Sequence, residues 1–303
     1  MNFPILIFGT LHLVGALLAA GILLFVWMAL RPSASAVIPK GITERLLHIA
    51  AASAFLCFVS VIPLIMLVCA MITGTSLTRV HIFTFREILC VTTFGNVMIF
   101  RFCAALLLVI SLYFSRHRAG RGSGIALTLS LLLLLSFGLT GHVFACRTSV
   151  LDIGVVCLHL AAVAAWPMGL FPLIIFLQRK NRDAISAAAA LPVLMRFSRL
   201  SIGAVVFLAL TGIANTYIIV PNLRLLFWTP YGFLLLLKIL IFLIMISLGA
   251  INYFRLRRHT PSDPEARIQK IRQLITWEAI LTLFILIIAS LLTLTPPPSS
   301  LGG

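Results

Sequence analysis

Negative charge is what this chain has least of. Its 303 residues include seven Asp and Glu against 23 Lys and Arg, a formal net charge of +16, and charged residues of all kinds make up 10% of the sequence. With so few ionic groups and 61% hydrophobic residues, the chain is too apolar for a soluble domain and fits a polytopic all-α membrane protein. Period-two alternation is missing, which argues against a β-barrel. There is no P-loop and no Gly-x-Gly-x-x-Gly, so no nucleotide site is expected and an ATP-driven pump is excluded. Basic and aromatic residues do not interleave as on a nucleic-acid surface. No internal repeat is obvious, and no inverted duplication of four helices is visible in the residues.

What is present is long apolar runs. Eight stretches, roughly 5–30, 46–72, 88–115, 123–143, 152–178, 197–220, 232–254 and 275–295, reach the ~20 apolar residues that a spanning helix needs. They predict eight transmembrane helices in a single helical domain over 1–303. Ala34-Ser35-Ala36 resembles a signal-peptide cleavage site, but no Lys or Arg precedes the first run, which is also too long for a signal h-region, so it is read as a helix of the mature protein. Four alternate connections hold most of the basic residues: Arg31 to Arg45, Arg116 to Arg121, Arg179 to Arg199 and Arg255 to Arg272. The other three hold only Arg79, Arg86, Arg147 and Arg224. The positive-inside rule then makes the first set cytoplasmic and puts both termini outside.

That orientation brings three histidines toward the outer face. His12 lies about two turns below it, His142 ends the fourth segment, and His159 lies seven residues, ~10 Å, below Asp152 in the fifth. Asp152, His159 and Trp166 repeat every seven residues, which places them on one helix stripe and would line an outward-facing pocket. An intramembrane histidine needs a partner, so three in one depth band point to a metal, ligand or proton site; a lone one more often hydrogen-bonds a neighbouring helix. Cys146 and Cys157 lie close by in sequence, and Met66 and Met71 lie toward the outer end of the second segment. Thiolate, thioether and imidazole together lean toward copper rather than magnesium or calcium. No Cys-x-x-Cys, Met-x-x-Met or His-Glu-x-x-His accompanies them. A Cys146–Cys157 disulfide is open, and Cys57, Cys69, Cys90 and Cys103 read as small apolar packing residues.

Buried charge forms a second group. Arg101 falls near the middle of the third segment and Lys238 about two turns into the seventh, so Arg101 should find a structural or gating partner and Lys238 either faces protein or snorkels to the headgroups. Glu278 is placed to pair with a nearby Arg or Lys, and Asn215 and Asn252 offer interhelical hydrogen bonds.

These residues carry a family resemblance. Thr93-Phe94-Gly95 followed by Arg101, Gly141-His142, His159-Leu160 with Trp166, Arg196-Phe197-Ser198-Arg199-Leu200, Thr211-Gly212 with Asn215, and Tyr231-Gly232 with Lys238 and Asn252 together resemble the copper resistance protein D (CopD/PcoD) family. The match is strongest from about residue 90 to 300, with Trp277-Glu278 similar to the family's closing helix. The first 90 residues match in hydropathy and in a first-segment histidine. The resemblance implies a copper-handling, non-enzymatic protein of the bacterial inner membrane that carries copper from periplasm to cytoplasm and works with a periplasmic copper-binding partner of the CopC type. The expected path is capture by His142 and Cys146, coordination deeper by His12 and His159, then passage past Met168. The family's Trp-x-Gly-Gly reads Trp166-Pro167-Met168-Gly169 here, so Pro167 should kink the helix and Met168 adds a thioether. Paired histidines in a helical bundle also suit haem b in a cupric reductase or quinone-linked cytochrome, and a copper-delivery assembly factor without translocation is a third class.

Overall fold

The computed structural model describes residues 2–30, 40–76, 79, 81–115, 122–140, 149–178, 187–220, 222, 224–257 and 264–295, and all regular structure among them is helical. The helices are α1 Asn2–Leu24, α2 Lys40–Thr73, α3 Ile82–Val91, α4 Thr93–Ser115, α5 Gly122–Leu135, α6 Val150–Ala165, α7 Leu170–Phe176, α8 Ala187–Ile219, α9 Leu225–Trp228, α10 Pro230–Arg257 and α11 Pro264–Leu294. Phe25–Leu30 continues α1 as a π-helix, and Ser136–Leu139 continues α5 as a 3-10 turn. Seven helices are long and apolar enough to cross a membrane, counting Val150–Phe176 as one span. The fourth of the eight expected segments is present as the shorter apolar helix Gly124–Leu139.

The chain divides into two compact units. Unit 1 takes Met1–Ala20 and His48–Ala161, and unit 2 takes Gly21–Leu47 and Ala162–Gly303. In unit 1, α1 and α2 approach closely because Gly15 has no side chain: a Cβ there would lie 2.8 Å from the Ser53 carbonyl oxygen and 3.0 Å from the Cys57 nitrogen. Small residues at such crossings let apolar helices gain packing that lipid cannot offer. The third expected segment, 88–115, proves to be two pieces. The chain breaks at Thr92, whose extended backbone ends α3 and lets α4 begin at Thr93.

In unit 2 the π-helical end of α1 is buried at Phe25, Val26, Ala29 and Leu30, with Phe25 edge-on to Phe176 at 6.3 Å and to Phe197 at 6.0 Å. Pro167 acts as the sequence predicts. Having no N–H, it ends α6 at Ala165, and the following Met168 nitrogen reaches five residues back to the Val163 carbonyl at 3.0 Å before α7 restarts at Leu170. Gly21 packs on this bend, where a Cβ would meet the Ala164 oxygen at 2.8 Å and the Met168 Cβ at 2.7 Å. Proline does not break every helix that holds one: α2 runs through Pro63 and α8 through Pro192.

Gly15→Ala should lower the thermal midpoint in detergent, at a cost of about 1–3 kcal/mol for forcing a methyl group against backbone that cannot rotate away. Gly203→Ala, which meets nothing within 4 Å in α8, should leave the midpoint unchanged or raise it. Equal behaviour of the two would contradict the close α1–α2 crossing.

Candidate functional site

His12 is 0% exposed and lies in unit 1 against α2. Its Nδ1 is 2.9 Å from the Cys57 carbonyl oxygen. A carbonyl only accepts, so Nδ1 carries the proton and Nε2 is left with its lone pair. The Ser60 hydroxyl donates to the same carbonyl at 2.9 Å and lies 3.3 Å from Nδ1, while the Cys57 Sγ lies 3.2 Å from it. Nε2 is buried and has no hydrogen-bond partner among the described residues. A carbonyl that fixes one ring nitrogen and leaves the other as a bare lone pair is the outer-shell arrangement that prepares imidazole to bind a metal.

The other face of the imidazole meets Phe137 of the 3-10 turn, with ring centroids 5.1 Å apart. Arg101 of α4 covers Phe137 in turn, its Cζ 3.9 Å from the ring centroid, in a cation–π contact. Arg101 is 2% exposed, and its guanidinium donates from Nε to Ser136 Oγ and from Nη2 to the Ser136 carbonyl, both at 3.0 Å. Nη2 also donates to Thr140 Oγ1, and Nη1 faces the Met98 sulfur at 4.0 Å. These partners are hydroxyls, a carbonyl and a thioether, and none is a carboxylate. The structural partner expected for Arg101 is therefore the last turn of the α5 segment.

Unit 2 has its own polar group. Glu278 of α11 is 2% exposed and accepts from Asn252 Nδ2 of α10 at 2.9 Å and from the Trp166 side chain. Asn252 and Trp166 take the place of the Arg or Lys partner expected from sequence. Trp166 also meets Phe242 edge-on at 6.1 Å, and Gly249 leaves room beside it: a Cβ there would lie 3.7 Å from Glu278 Oε2. The Asn252 and Asn215 side-chain oxygens are buried without a partner among the described residues.

The remaining sequence-predicted residues fall as follows. His142 and Cys146 lie outside the described residues. Asp152 is half-buried in the first turn of α6, where an acid suits the helix dipole, and His159 is half-buried on the same helix in unit 1. Met168 is 1% exposed and belongs to unit 2, where it packs at Gly21. Lys238 is half-buried in α10. Cys157 is a free thiol that donates to the Leu135 carbonyl at 3.2 Å, and Met66 and Met71 are exposed on α2. Among the described residues no three His, Cys, Asp or Glu side chains cluster as a metal cage. Cys57 and Ser60 were missed from sequence because they lie 45 and 48 residues from His12 in an unpatterned apolar helix.

Seven apolar spanning-length helices with buried imidazole, guanidinium and carboxylate groups define a multi-pass helical membrane protein with a polar interior. The chain belongs to the copper resistance protein D family: residues 191–292 match the copper resistance protein D model, and residues 2–150 match that of the copper resistance protein D-like N-terminal domain. The second match extends the family likeness through the first 90 residues, where the sequence alone offered only hydropathy and a histidine. The chain is also 29% identical over 166 residues to the copper transport protein CutJ of Bacillus subtilis (strain 168), an alignment covering 55% of this chain and 29% of CutJ. No solved structure matches the chain.

Arg101→Lys should lower the unfolding midpoint, because an ammonium has no planar fork to reach Ser136 Oγ, the Ser136 carbonyl and Thr140 together. The loss expected is about 1–3 kcal/mol, that of leaving buried groups unpaired, and Arg101→Ala should lose more. A thermal melt of Arg101→Lys matching wild type would contradict the anchoring role.

Proposed function

We propose that this protein is a copper permease of the bacterial inner membrane, carrying copper from periplasm to cytoplasm, with His12 as its deep ligand. The observation that carries this reading is the His12 Nε2 lone pair, buried, unpartnered among the described residues and fixed in direction by the Cys57 carbonyl. Imidazole nitrogen suits copper in either oxidation state, and the Cys57 thiol beside the ring suits Cu(I). Copper is the cargo, and the protein is a carrier rather than an enzyme. Membership of the copper resistance protein D family and the likeness to a protein named for copper transport both support this.

In this reading the chain has eight spans with both termini in the periplasm, supported by the crowding of basic residues into alternate connections. His142 and Cys146 capture copper at the mouth, and His159 and His12 receive it. A separate periplasmic copper-binding protein of the CopC type delivers the ion.

Copper uptake by proteoliposomes tests the proposal. The His12→Ala protein should lose at least about tenfold of wild-type uptake while keeping its gel-filtration profile, in line with what disturbing a metal site costs. Wild-type uptake by His12→Ala would overturn it, and a haem absorption band that vanishes with His12 would replace it with a membrane cytochrome.

A further inference from the structure

Two joints in the chain are built alike. After α3, Thr92 Oγ1 donates to the Ile88 carbonyl at 2.6 Å and accepts from the Gly95 nitrogen at 3.0 Å. After α9, Thr229 Oγ1 donates to the Leu225 carbonyl at 2.6 Å and accepts from the Gly232 nitrogen at 3.0 Å. Both threonines are extended, with ψ of 148°. In each joint the hydroxyl closes a short helix and opens a long one, as an N-cap does. In each the glycine is required, since a Cβ at Gly95 would collide with Ile88 and Leu89, and one at Gly232 with Leu225 and Leu226. An aromatic residue precedes each glycine, Phe94 and Tyr231. A basic residue follows each six positions on, Arg101 and Lys238, about 9 Å along the helix.

The likeness extends in both directions and in the same order. Upstream, Thr73-Gly74 ends α2 and Thr211-Gly212 lies about two turns before the end of α8, and each threonine hydroxyl turns back on carbonyls four and three residues earlier. Further upstream, Leu11-His12-Leu13 in α1 matches Leu158-His159-Leu160 in α6. Downstream, Leu127-Thr128-Leu129 in α5 matches Leu281-Thr282-Leu283 in α11, both threonines bonding the carbonyl four residues back, and a serine follows each threonine eight positions on, Ser136 and Ser290. Any one of these matches is unremarkable in apolar helices. The shared order and the closed threonine joint are what set them apart.

We infer that the chain is a tandem duplication of one four-segment unit, in which His159 is the counterpart of His12, Lys238 of Arg101 and Ser290 of Ser136. Four segments return the chain to the side from which it started, so the second copy runs in the same sense as the first and is not inverted. Copper therefore meets two equivalent histidine ligand positions, one on the first segment of each copy; this half of the inference rests on the permease reading. The copies have diverged at the cation, where the Arg101 fork binds Ser136 and Thr140 and a lysine stands at the matching place.

The test uses matched substitutions in the full chain, read as melting temperature and as copper affinity. Thr92→Ala and Thr229→Ala should lower the melting temperature alike, and Thr92→Ser and Thr229→Ser, which keep the hydroxyl, should restore it. His12→Ala and His159→Ala should weaken copper binding by similar factors. A melt unchanged by Thr229→Ala beside a lowered one for Thr92→Ala, or wild-type copper affinity in His159→Ala beside a loss in His12→Ala, would overturn the duplication. If the wild type binds no copper, the permease reading falls and the two threonine pairs alone decide the duplication.

Discussion

A histidine that gives its Nδ1 proton to a helix carbonyl has only one use left for its second nitrogen, and deep in an apolar protein it cannot offer that nitrogen to water. His12 is held this way by Cys57, at 2.9 Å and fully buried. Keeping a bare lone pair there costs free energy unless something binds it. The close crossing of α1 and α2 at Gly15 brings the ring to that carbonyl, and Phe137 closes its other side. The packing of unit 1 leaves one nitrogen aimed as a bare lone pair, the form in which an imidazole is able to bind a soft or borderline metal ion.

The scarcity of acids gives the rest of the interior its character. Arg101 is neutralised by no carboxylate among its partners; hydroxyls, a carbonyl and a ring face disperse its charge. Glu278 is treated the same way from the opposite sign, by an amide and an indole. Hydrogen bonds from neutral groups let a chain with 10% charged residues bury a guanidinium and a carboxyl group, with no ion pair at either among the described residues.

Much of this was legible in the sequence, and the rest was not for identifiable reasons. Long apolar runs gave the spans because twenty apolar residues have few other uses, and Pro167 announced its own bend. His12 and Arg101 stood out because polar groups are rare in such segments. The partners did not: Cys57 and Ser60 look like packing residues until α1 lies against α2, since contact across 45 residues leaves no local signal. The break at Thr92 hid inside a continuous apolar run, because the hydroxyl that ends α3 is compatible with helix by composition. The repeat leaves little trace in the sequence for a related reason. Its copies share only scattered residues, and unequal connections shift the offset from 147 at the histidines to 137 at the joints, so no single period appears.

The permease reading stands on His12 Nε2 being a copper ligand. Copper K-edge X-ray absorption on the purified, Cu(I)-loaded protein addresses it directly, beside a His12→Gln variant that keeps a polar side chain of similar size. With His12 bound to copper, the wild type should show an imidazole scattering pattern that weakens or disappears in the variant. Identical spectra from the two proteins would contradict it and leave His12 as a packing residue that holds α1 against α2.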